Sequence, residues 1–503
     1  MKIHVFGGIA VLGMAVTSAI VWSATNTKPT ATAAPAPASI PSPPTKLVAQ
    51  EKPVPAVEPL PDRSMFTAGK TLMMDGRLGH AVLPASTDSE TYVFLDVHAE
   101  AAQVGKVAAR FELAIVIDRS GSMRGKRLQN ALDAARTAIE RLRDGDIVSV
   151  LAYNTRTEVV VPATAIDARS RAGVLRGLGR IRAKGDTCIS CAVESGMRVL
   201  GRNPDTISQI LLLSDGEATK GIKDVASFGA IADRSRHKGV SITTIGVDLD
   251  YNERIMATLA QRSNGRHYFV EHADRLAGIF DQEMQALQRT VAAGAEVQVS
   301  LAPGVILDHV YDREFRRTHT GVAVSMGSFS AGDSKTLLMR VRVPRGQDGE
   351  RAIASATLSY NDLVQGQAGT CNGSLIAQAT SDPTRVSPLD GLVSMRISRS
   401  ETAEALERAN KLFREGDEQA ARGLLESSRS QLNRRRSRWK KPKSKAQAKR
   451  MKADFARQES VLGDAEDAFR SAGKSAGAGK ASRTRGGKKQ IRMNQRDAFE
   501  LSL

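Results

Sequence analysis

Oxygen-bearing side chains follow two apolar runs of the chain, at the point where each run ends. Asp118, Ser120 and Ser122 follow the first run, and Asp215 follows the second. A polar turn between the two runs presents Thr187. Carboxylate and hydroxyl oxygens are hard donors, which suit Mg²⁺, Mn²⁺ or Ca²⁺ and do not suit Zn²⁺ or Cu²⁺. The residue types at these positions therefore indicate a site for a divalent cation.

The segment 110–290 contains the elements that would hold these side chains. Its apolar runs alternate with helical patterns, which predicts a doubly wound, mostly parallel α/β sheet with helices on both faces. Ligands bind at the carboxyl ends of the strands in such a sheet, so we expect the oxygen donors to converge there. The predicted strands are Arg110–Ile117, Ile147–Tyr153, Glu158–Val161, Ile210–Leu213, Ser241–Val247 and His267–Val270. The predicted helices are Arg127–Leu142, Ser227–Lys238, Asn252–Arg262 and Ala273–Thr290.

The order of these donors resembles the metal-ion-dependent adhesion site of the von Willebrand factor A (integrin I-type) family. That site reads D-x-S-x-S, then a Thr, then an Asp, and the chain matches it at Asp118, Ser120, Ser122, Thr187 and Asp215. The resemblance covers about 112–290. A looser one, to bacterial extracytoplasmic proteins of this family, covers 65–435. The chain departs from the pattern at Asp186 and Asp248, where Gly is expected, and neither position is a ligand.

The resemblance implies a Mg²⁺ ion, or Mn²⁺ or Ca²⁺ in its place, and a protein partner. Two carboxylates balance a dication and three hydroxyls add oxygens without charge, so the site is short of one ligand. In the family, an acidic side chain of the partner fills that place. Four basic residues stand near the motif and would favour an acidic partner by electrostatic steering. They are Arg119, Arg124, Lys126 and Arg127.

A plain turn that caps the following helix is the structural alternative to a cation site. Such a turn explains Asp118 or Ser122 alone, but it does not explain Thr187 and Asp215 as well. A metal-free domain of the same fold, which serves as a scaffold, stays open as a second alternative.

The N-terminal region is typical of an exported protein. Residues 1–26 contain Lys2 and an apolar run, which indicates a signal peptide or membrane anchor. Residues 27–62 contain ten prolines among Ala, Thr and Ser and are predicted to be an extended linker. We therefore expect an extracytoplasmic protein, which is either periplasmic and membrane-anchored at its N-terminus or secreted.

Further modules flank the α/β domain. Residues 63–109 are predicted to be an N-terminal β segment, and 291–382 a small antiparallel sandwich in which 363–381 form a loop. Residues 383–470 are predicted to be helical, with a helical hairpin around Gly416. Residues 471–503 are rich in Gly, Ser, Lys and Arg and are predicted to be a disordered basic tail.

Positive charge is concentrated near the C-terminus. The formal net charge is +18, and residues 434–503 contain 21 Lys or Arg against 7 Asp or Glu. An anionic surface or polyanion is therefore a candidate second partner. Nucleic acid is disfavoured because the chain is predicted to be exported.

Cysteine usage leaves a second function open. Cys188 and Cys191 form a C-x-x-C pair beside Thr187, whereas Cys371 stands alone. The pair could be a thiol–disulfide redox site or sensor, a passive local disulfide, or two small residues at a helix start. The chain contains no nucleophile elbow, phosphate loop or zinc-binding histidine motif. We therefore predict a binding protein of the cell envelope and no enzyme, with redox chemistry or scaffolding through the basic tail as the alternatives.

Overall fold

The computed structural model describes residues 62–101, 110–200, 206–437, 445–476 and 480–502. The predicted export segment 1–26 and nearly all of the linker 27–62 lie outside these residues, as do parts of the basic C-terminal segment 434–503. None of the described helices is long and apolar enough to cross a membrane.

Four strands come first in the described part of the chain. In β2, buried and partly exposed residues alternate, as expected for a strand with one face on a core. The four strands are β1 (Met65–Gly69), β2 (Leu72–Leu78), β3 (Val82–Pro84) and β4 (Ser89–Ala99).

The next segment is the predicted α/β domain, and its six-stranded sheet has the order β10-β9-β8-β5-β6-β7. All neighbours are parallel except β6 and β7. Its strands are β5 (Arg110–Asp118), β6 (Ile147–Tyr153), β7 (Thr157–Ala165), β8 (Thr206–Ser214), β9 (Val240–Val247) and β10 (His267–Val270). Its helices are α1 (Lys126–Arg141), α2 (Ser170–Leu178), α3 (Ile189–Val199), α4 (Val225–His237), α5 (Glu253–Arg262) and α6 (Leu276–Gln288).

Both faces of this sheet are buried, which confirms the predicted fold class. Ile115 and Ile117 of β5 pack into one core, and Ala114 and Val116 pack into the core on the opposite face. A strand covered on both faces needs apolar side chains on both of them, which explains the nearly continuous apolar run of β5.

Seven strands follow the α/β domain and complete a β-sandwich with the first four. One sheet has the order β1-β2-β4-β15-β12 and the other β13-β14-β11-β16-β17-β3, and both contribute to one core. The new strands are β11 (Thr290–Leu301), β12 (Ile306–Tyr311), β13 (Arg316–Arg317), β14 (Gly321–Ser330), β15 (Ser334–Val343), β16 (Gly349–Asp362) and β17 (Gln367–Thr380).

The division into separate β segments 63–109 and 291–382 is therefore wrong. Strands on the two sides of the α/β domain pair directly, with Ser89–Ala99 antiparallel to β15 and Val82–Pro84 parallel to β17. The α/β domain is inserted into one sandwich.

The prediction of a loop over 363–381 is also wrong. Strand β17 pairs antiparallel with β16 along its length. Its residues are mostly Ala, Gly, Ser, Thr and Gln, which have too weak a hydrophobic pattern to predict a strand. Backbone pairing with β16 provides what the side chains do not.

Four helices end the described chain: α7 (Gly391–Glu415), α8 (Glu418–Ser437), α9 (Lys445–Ala476) and α10 (Arg485–Ser502). The predicted hairpin around Gly416 is present, and Gly416 ends α7 in the left-handed conformation (φ 92°).

The prediction that 471–503 are disordered is wrong for α10, and α9 itself extends to Ala476. Ile491, Phe499 and Leu501 of α10 are buried. Arg492 reaches the α/β domain, where its guanidinium lies 2.5 Å from Glu253. Composition predicted disorder because these few apolar residues stand among many cations, whose acidic partners lie in a distant part of the chain.

Candidate functional site

Asp118 lies at the carboxyl end of β5, between β6 and β8, and is completely buried. Its two carboxylate oxygens have separate donors. The Ser120 backbone N–H donates to Oδ1 at 2.8 Å, and the Ser214 hydroxyl donates to Oδ2 at 2.9 Å. The end of the strand and both hydrogen bonds therefore fix the direction of this carboxylate.

The two serines lie in the turn that follows β5, and Gly121–Met123 of this turn form one turn of 3₁₀ helix. The Ser120 and Ser122 hydroxyl oxygens are 3.0 Å apart. Ser122 Oγ in turn donates to Asp215 Oδ1 at 2.7 Å. Asp215 follows β8 and is 1% exposed. Four of the five predicted ligands thus form one continuous polar cluster.

Thr187 joins this cluster from the loop before α3. A methyl group built on Gly216 would lie 3.6 Å from Thr187 Oγ1 and 3.7 Å from Ser122 Oγ, so both hydroxyls face the space beside Gly216. Hydrogen bonds with the loop at Thr219 hold the Thr187 backbone. Its N–H donates to Thr219 Oγ1 at 2.9 Å, and its carbonyl accepts from Thr219 N–H at 3.0 Å.

A disulfide joins Cys188 and Cys191 beside this loop, with 5.4 Å between the Cα atoms. Cys188 is completely buried, and its N–H donates to the carbonyl of Asn154 at 2.9 Å. Gly221 packs against the sulfur atoms, since a methyl group built there would lie 2.6 Å from Cys188 Sγ. The bond therefore ties the first turn of α3 to the loop that holds Thr187.

Electrostatics within the cluster favour a cation. Burial raises the pKa of Asp118 to about 6, and the neighbouring Asp215 carboxylate adds to this rise against hydrogen bonds from Ser120 and Ser214. Burial also raises the pKa of Asp215, although Ser122 and Arg127 oppose the rise. Two buried carboxylates in contact with one hydroxyl network are costly to ionise together unless positive charge lies between them.

The donor set fits a hard divalent cation. Asp118 and Asp215 would supply charge, and the hydroxyls of Ser120, Ser122 and Thr187 would supply neutral oxygens. Among the described residues, no group of three or more His, Cys, Asp or Glu side chains could hold a metal ion. A cation at this edge of the sheet would therefore depend on hydroxyls for most of its protein ligands.

Only part of the predicted basic rim faces the cluster. Arg127 lies against Asp215, with Nη1 3.3 Å from Oδ2. Arg119 instead pairs with Glu158 at 2.8 Å. Arg124 and Lys126 are exposed. From the sequence, Arg127 was expected only to be one of four cations at the rim.

Ser214 and Asp248 are two contributors that the sequence analysis did not assign to the site. Ser214 stands directly before Asp215, and its contact with Asp118 could have been expected from the pairing of β5 with β8. Asp248 pairs with Arg127, and its departure from the expected Gly was the available signal.

Comparison with known proteins identifies the α/β domain. The family model of the von Willebrand factor type A domain matches residues 112–282. Among curated relatives, protein sll0103 of Synechocystis sp. is 26% identical over 267 residues, which is 51% of this chain and 62% of that protein. Protein YfbK of Escherichia coli is 25% identical over 289 residues, which is 56% of this chain and 50% of that protein. The chain thus spans half to three-fifths of the length of these relatives.

Solved structures match over a longer part of the chain. A von Willebrand factor type A protein from Catenulispora acidiphila has a TM-score of 0.67 at 19% identity, over 86% of this chain and 98% of that one. The ArnB paralog VWA2 from Sulfolobus acidocaldarius has a TM-score of 0.52 at 16% identity, over 78% and 98%. At such identities the likeness concerns the fold alone.

Proposed function

Since this chain contains a von Willebrand factor type A domain, a class that typically mediates protein interaction or adhesion, we propose that it binds a protein partner through a divalent cation. The cation would be Mg²⁺, or Mn²⁺ or Ca²⁺ in its place. The proposed ligands are Asp118, Ser120, Ser122, Thr187 and Asp215. Members of this domain family are mostly interaction modules without enzymatic activity.

One observation carries the proposal: oxygen donors from three separate segments meet at the carboxyl edge of the sheet. The cluster contains two buried carboxylates and three hydroxyls. A turn that only caps a helix needs a single acceptor, so it does not require the Asp215 and Thr187 segments.

Each residue has a distinct task in this proposal. Asp118 and Asp215 would balance the charge of the cation, and Ser120 and Ser122 would fix its distance from the turn. Thr187, on a separate loop, would adjust when the partner arrives. When bound, the cation would supply the positive charge that attracts a carboxylate oxygen of the partner. Glu or Asp is therefore the expected contact residue.

Calorimetry on the full chain tests the cation site. We expect Mg²⁺ or Mn²⁺ to bind the parent protein and to raise its free energy of unfolding by about 2.7 kcal/mol at 100 times the dissociation constant. The Asp118→Ala variant should lose both effects. Asp133→Ala removes an exposed carboxylate on α1 and should retain both. Equal binding by Asp118→Ala and the parent would contradict the proposal.

We also propose an extracytoplasmic location. The apolar N-terminal run and the Pro-rich linker support it, and a disulfide is compatible with an oxidising compartment. Cell fractionation tests the location.

Some cations of the basic C-terminal segment already pair with acidic residues of this protein, so its net charge overstates what it can offer to a second partner. Cations of α10 pair with acidic residues of the α/β domain, as Lys488 does with Asp250 at 2.6 Å and Lys489 with Glu271 at 2.7 Å. An anionic surface or polyanion stays the proposed second partner of the basic C-terminal segment, and fewer cations of α10 are available to it than the charge of that helix indicates.

The disulfide favours a second candidate function, redox sensing. Reduction of the Cys188–Cys191 bond by a dithiol would consume two electrons and two protons and leave two thiols. The loop that holds Thr187 would then lose its covalent anchor. We expect dithiothreitol to lower cation affinity several-fold in the parent, whereas a Cys188→Ser/Cys191→Ser variant should have the lower affinity with or without the reductant. Equal affinity of all forms would exclude sensing at this site.

A further inference from the structure

Arg127 lies in the first turn of α1 and contacts the proposed site directly. Its Nη1 donates to the carbonyl of Ser122 at 3.0 Å and lies 3.3 Å from Asp215 Oδ2. Its side chain is 39% exposed, so the same guanidinium also faces solvent. A fixed positive charge therefore stands beside one of the two proposed anionic ligands and within reach of whatever approaches the site.

Asp248 holds Arg127 in this position. Its Oδ2 accepts from Arg127 Nη2, and its Oδ1 accepts from the Leu249 N–H at 2.7 Å. Asp248 has a φ of 65°, a left-handed conformation that is strained for a residue other than Gly. Gly would avoid this strain but could not anchor the guanidinium. The Asp248 carboxylate therefore fixes the position of the Arg127 guanidinium beside the site.

The charge of Arg127 has opposite effects on binding of the cation and on binding of a carboxylate ligand. It partly neutralises Asp215, and it repels a dication, so it opposes cation binding. A carboxylate that reaches the cation from solvent meets the guanidinium as a second partner, which can donate to its other oxygen. Arg127 therefore disfavours the cation alone and favours the cation together with an anionic ligand.

We infer that Arg127 is a specificity-determining residue that makes the cation and a carboxylate ligand bind cooperatively. The inference rests on the proposed function. In this role Arg127 favours a carboxylate over a neutral oxygen ligand, because only the carboxylate has a charge and a second oxygen for the guanidinium.

The experiment measures Mn²⁺ affinity of the full chain by calorimetry, alone and with saturating acetate as the carboxylate probe. Acetamide serves as the neutral probe of similar shape. For the parent we expect acetate, and not acetamide, to raise Mn²⁺ affinity. For Arg127→Gln we expect Mn²⁺ alone to bind about tenfold more tightly, which corresponds to about 1.4 kcal/mol, and the gain from acetate to fall about tenfold.

Arg124→Gln is the matched control, because it removes the same charge from an exposed rim residue. The side chain of Arg124 makes no hydrogen bond or ion pair with the described residues. We expect this variant to change either affinity by less than about twofold, since exposed charges are screened. Asp248→Asn keeps the charge of Arg127 but weakens its anchor, and we expect an acetate gain between those of the parent and Arg127→Gln.

The two proposals fail in different ways. If the parent does not bind Mn²⁺, or if Asp118→Ala binds it equally well, the cation site itself is wrong and the inference is lost with it. If the parent binds Mn²⁺ through Asp118 but Arg127→Gln changes neither affinity, only the inference is overturned. An equal fall in the Mn²⁺ affinities measured without and with acetate would also overturn the inference. Such a result would mean that Arg127 only stabilises the structure of the site.

Discussion

The ion pair between Arg492 and Glu253 ties helix α10 to the α/β domain, and its removal should release that helix locally. The two side chains are only 8% and 6% exposed, and the charged groups lie 2.5 Å apart. Arg492 also donates to the carbonyl of Leu249 at 3.0 Å and lies over the ring of Tyr251, 5.2 Å from its centroid. The substitution Arg492→Met keeps an unbranched apolar side chain and removes the charge and the hydrogen-bond donors.

The expected loss of stability depends on the contacts that Glu253 keeps after the substitution. Loss of one partner from a buried ion pair costs about 3–5 kcal/mol because the other charge is left uncompensated. Glu253 keeps a second partner in Arg414, which places the expected loss at the lower end, about 3 kcal/mol. Glu253→Gln removes the negative charge that both the buried Arg492 and the partly exposed Arg414 contact, so we expect a larger effect from it.

Hydrogen exchange of the α10 backbone amides measures the free energy of local opening. A loss of about 3 kcal/mol corresponds to exchange that is more than about a hundredfold faster. The control is Arg485→Met on the same helix, where a 74%-exposed cation lies 3.8 Å from Glu271 and contributes about 1 kcal/mol at most. If Arg492→Met accelerates exchange by less than about tenfold, or no more than Arg485→Met does, the buried pair is not what holds α10.

Two further predictions concern the proposed cation site. Because burial raises the pKa of Asp118 to about 6, above its value in the unfolded chain, the folded protein binds more protons between about pH 4 and 6. The metal-free protein should therefore lose stability, measured by urea titration, as the pH rises through this window. Cation affinity should fall as the pH drops below about 6. If neither stability nor affinity changes with pH, the environment described for Asp118 is wrong. Thr187→Ala should keep the circular dichroism spectrum and weak cation binding but lose chelator-sensitive partner capture in pull-downs, because it removes one neutral oxygen from a separate loop. Undiminished capture would place this loop outside the site.

The predicted fold class and the gathering of the donors followed from local patterns. Each apolar run of the α/β domain had to be a strand covered on both faces, and parallel strands end at a common edge. Asp118 and Asp215, which stand just after two such runs, therefore had to lie near each other whatever the remaining modules do. Their hydrogen bonds through Ser122 and Ser214 agree with that reasoning.

Sequence patterns failed where an element is stable only through a distant partner. Strand β17 has a weak hydrophobic pattern and depends on its pairing with β16. The sandwich was divided in two because Ser89–Ala99 and β15, which pair in it, stand on either side of the α/β domain.

Helix α10 and the contact of Arg127 with Asp215 show the same limit for charged residues. A run of Lys and Arg is typical of disorder, but Arg492 bonds to Leu249 across 243 residues of chain. Likewise Arg127 was one of several rim cations until Asp248, 121 residues away, fixed its direction. The side chains at the ends of buried strands can be predicted from the sequence, because the periodicity of the strands is a local property of the chain. The pairing and direction of the cations depend on the folded structure, because an ion pair requires closeness in space and not along the chain.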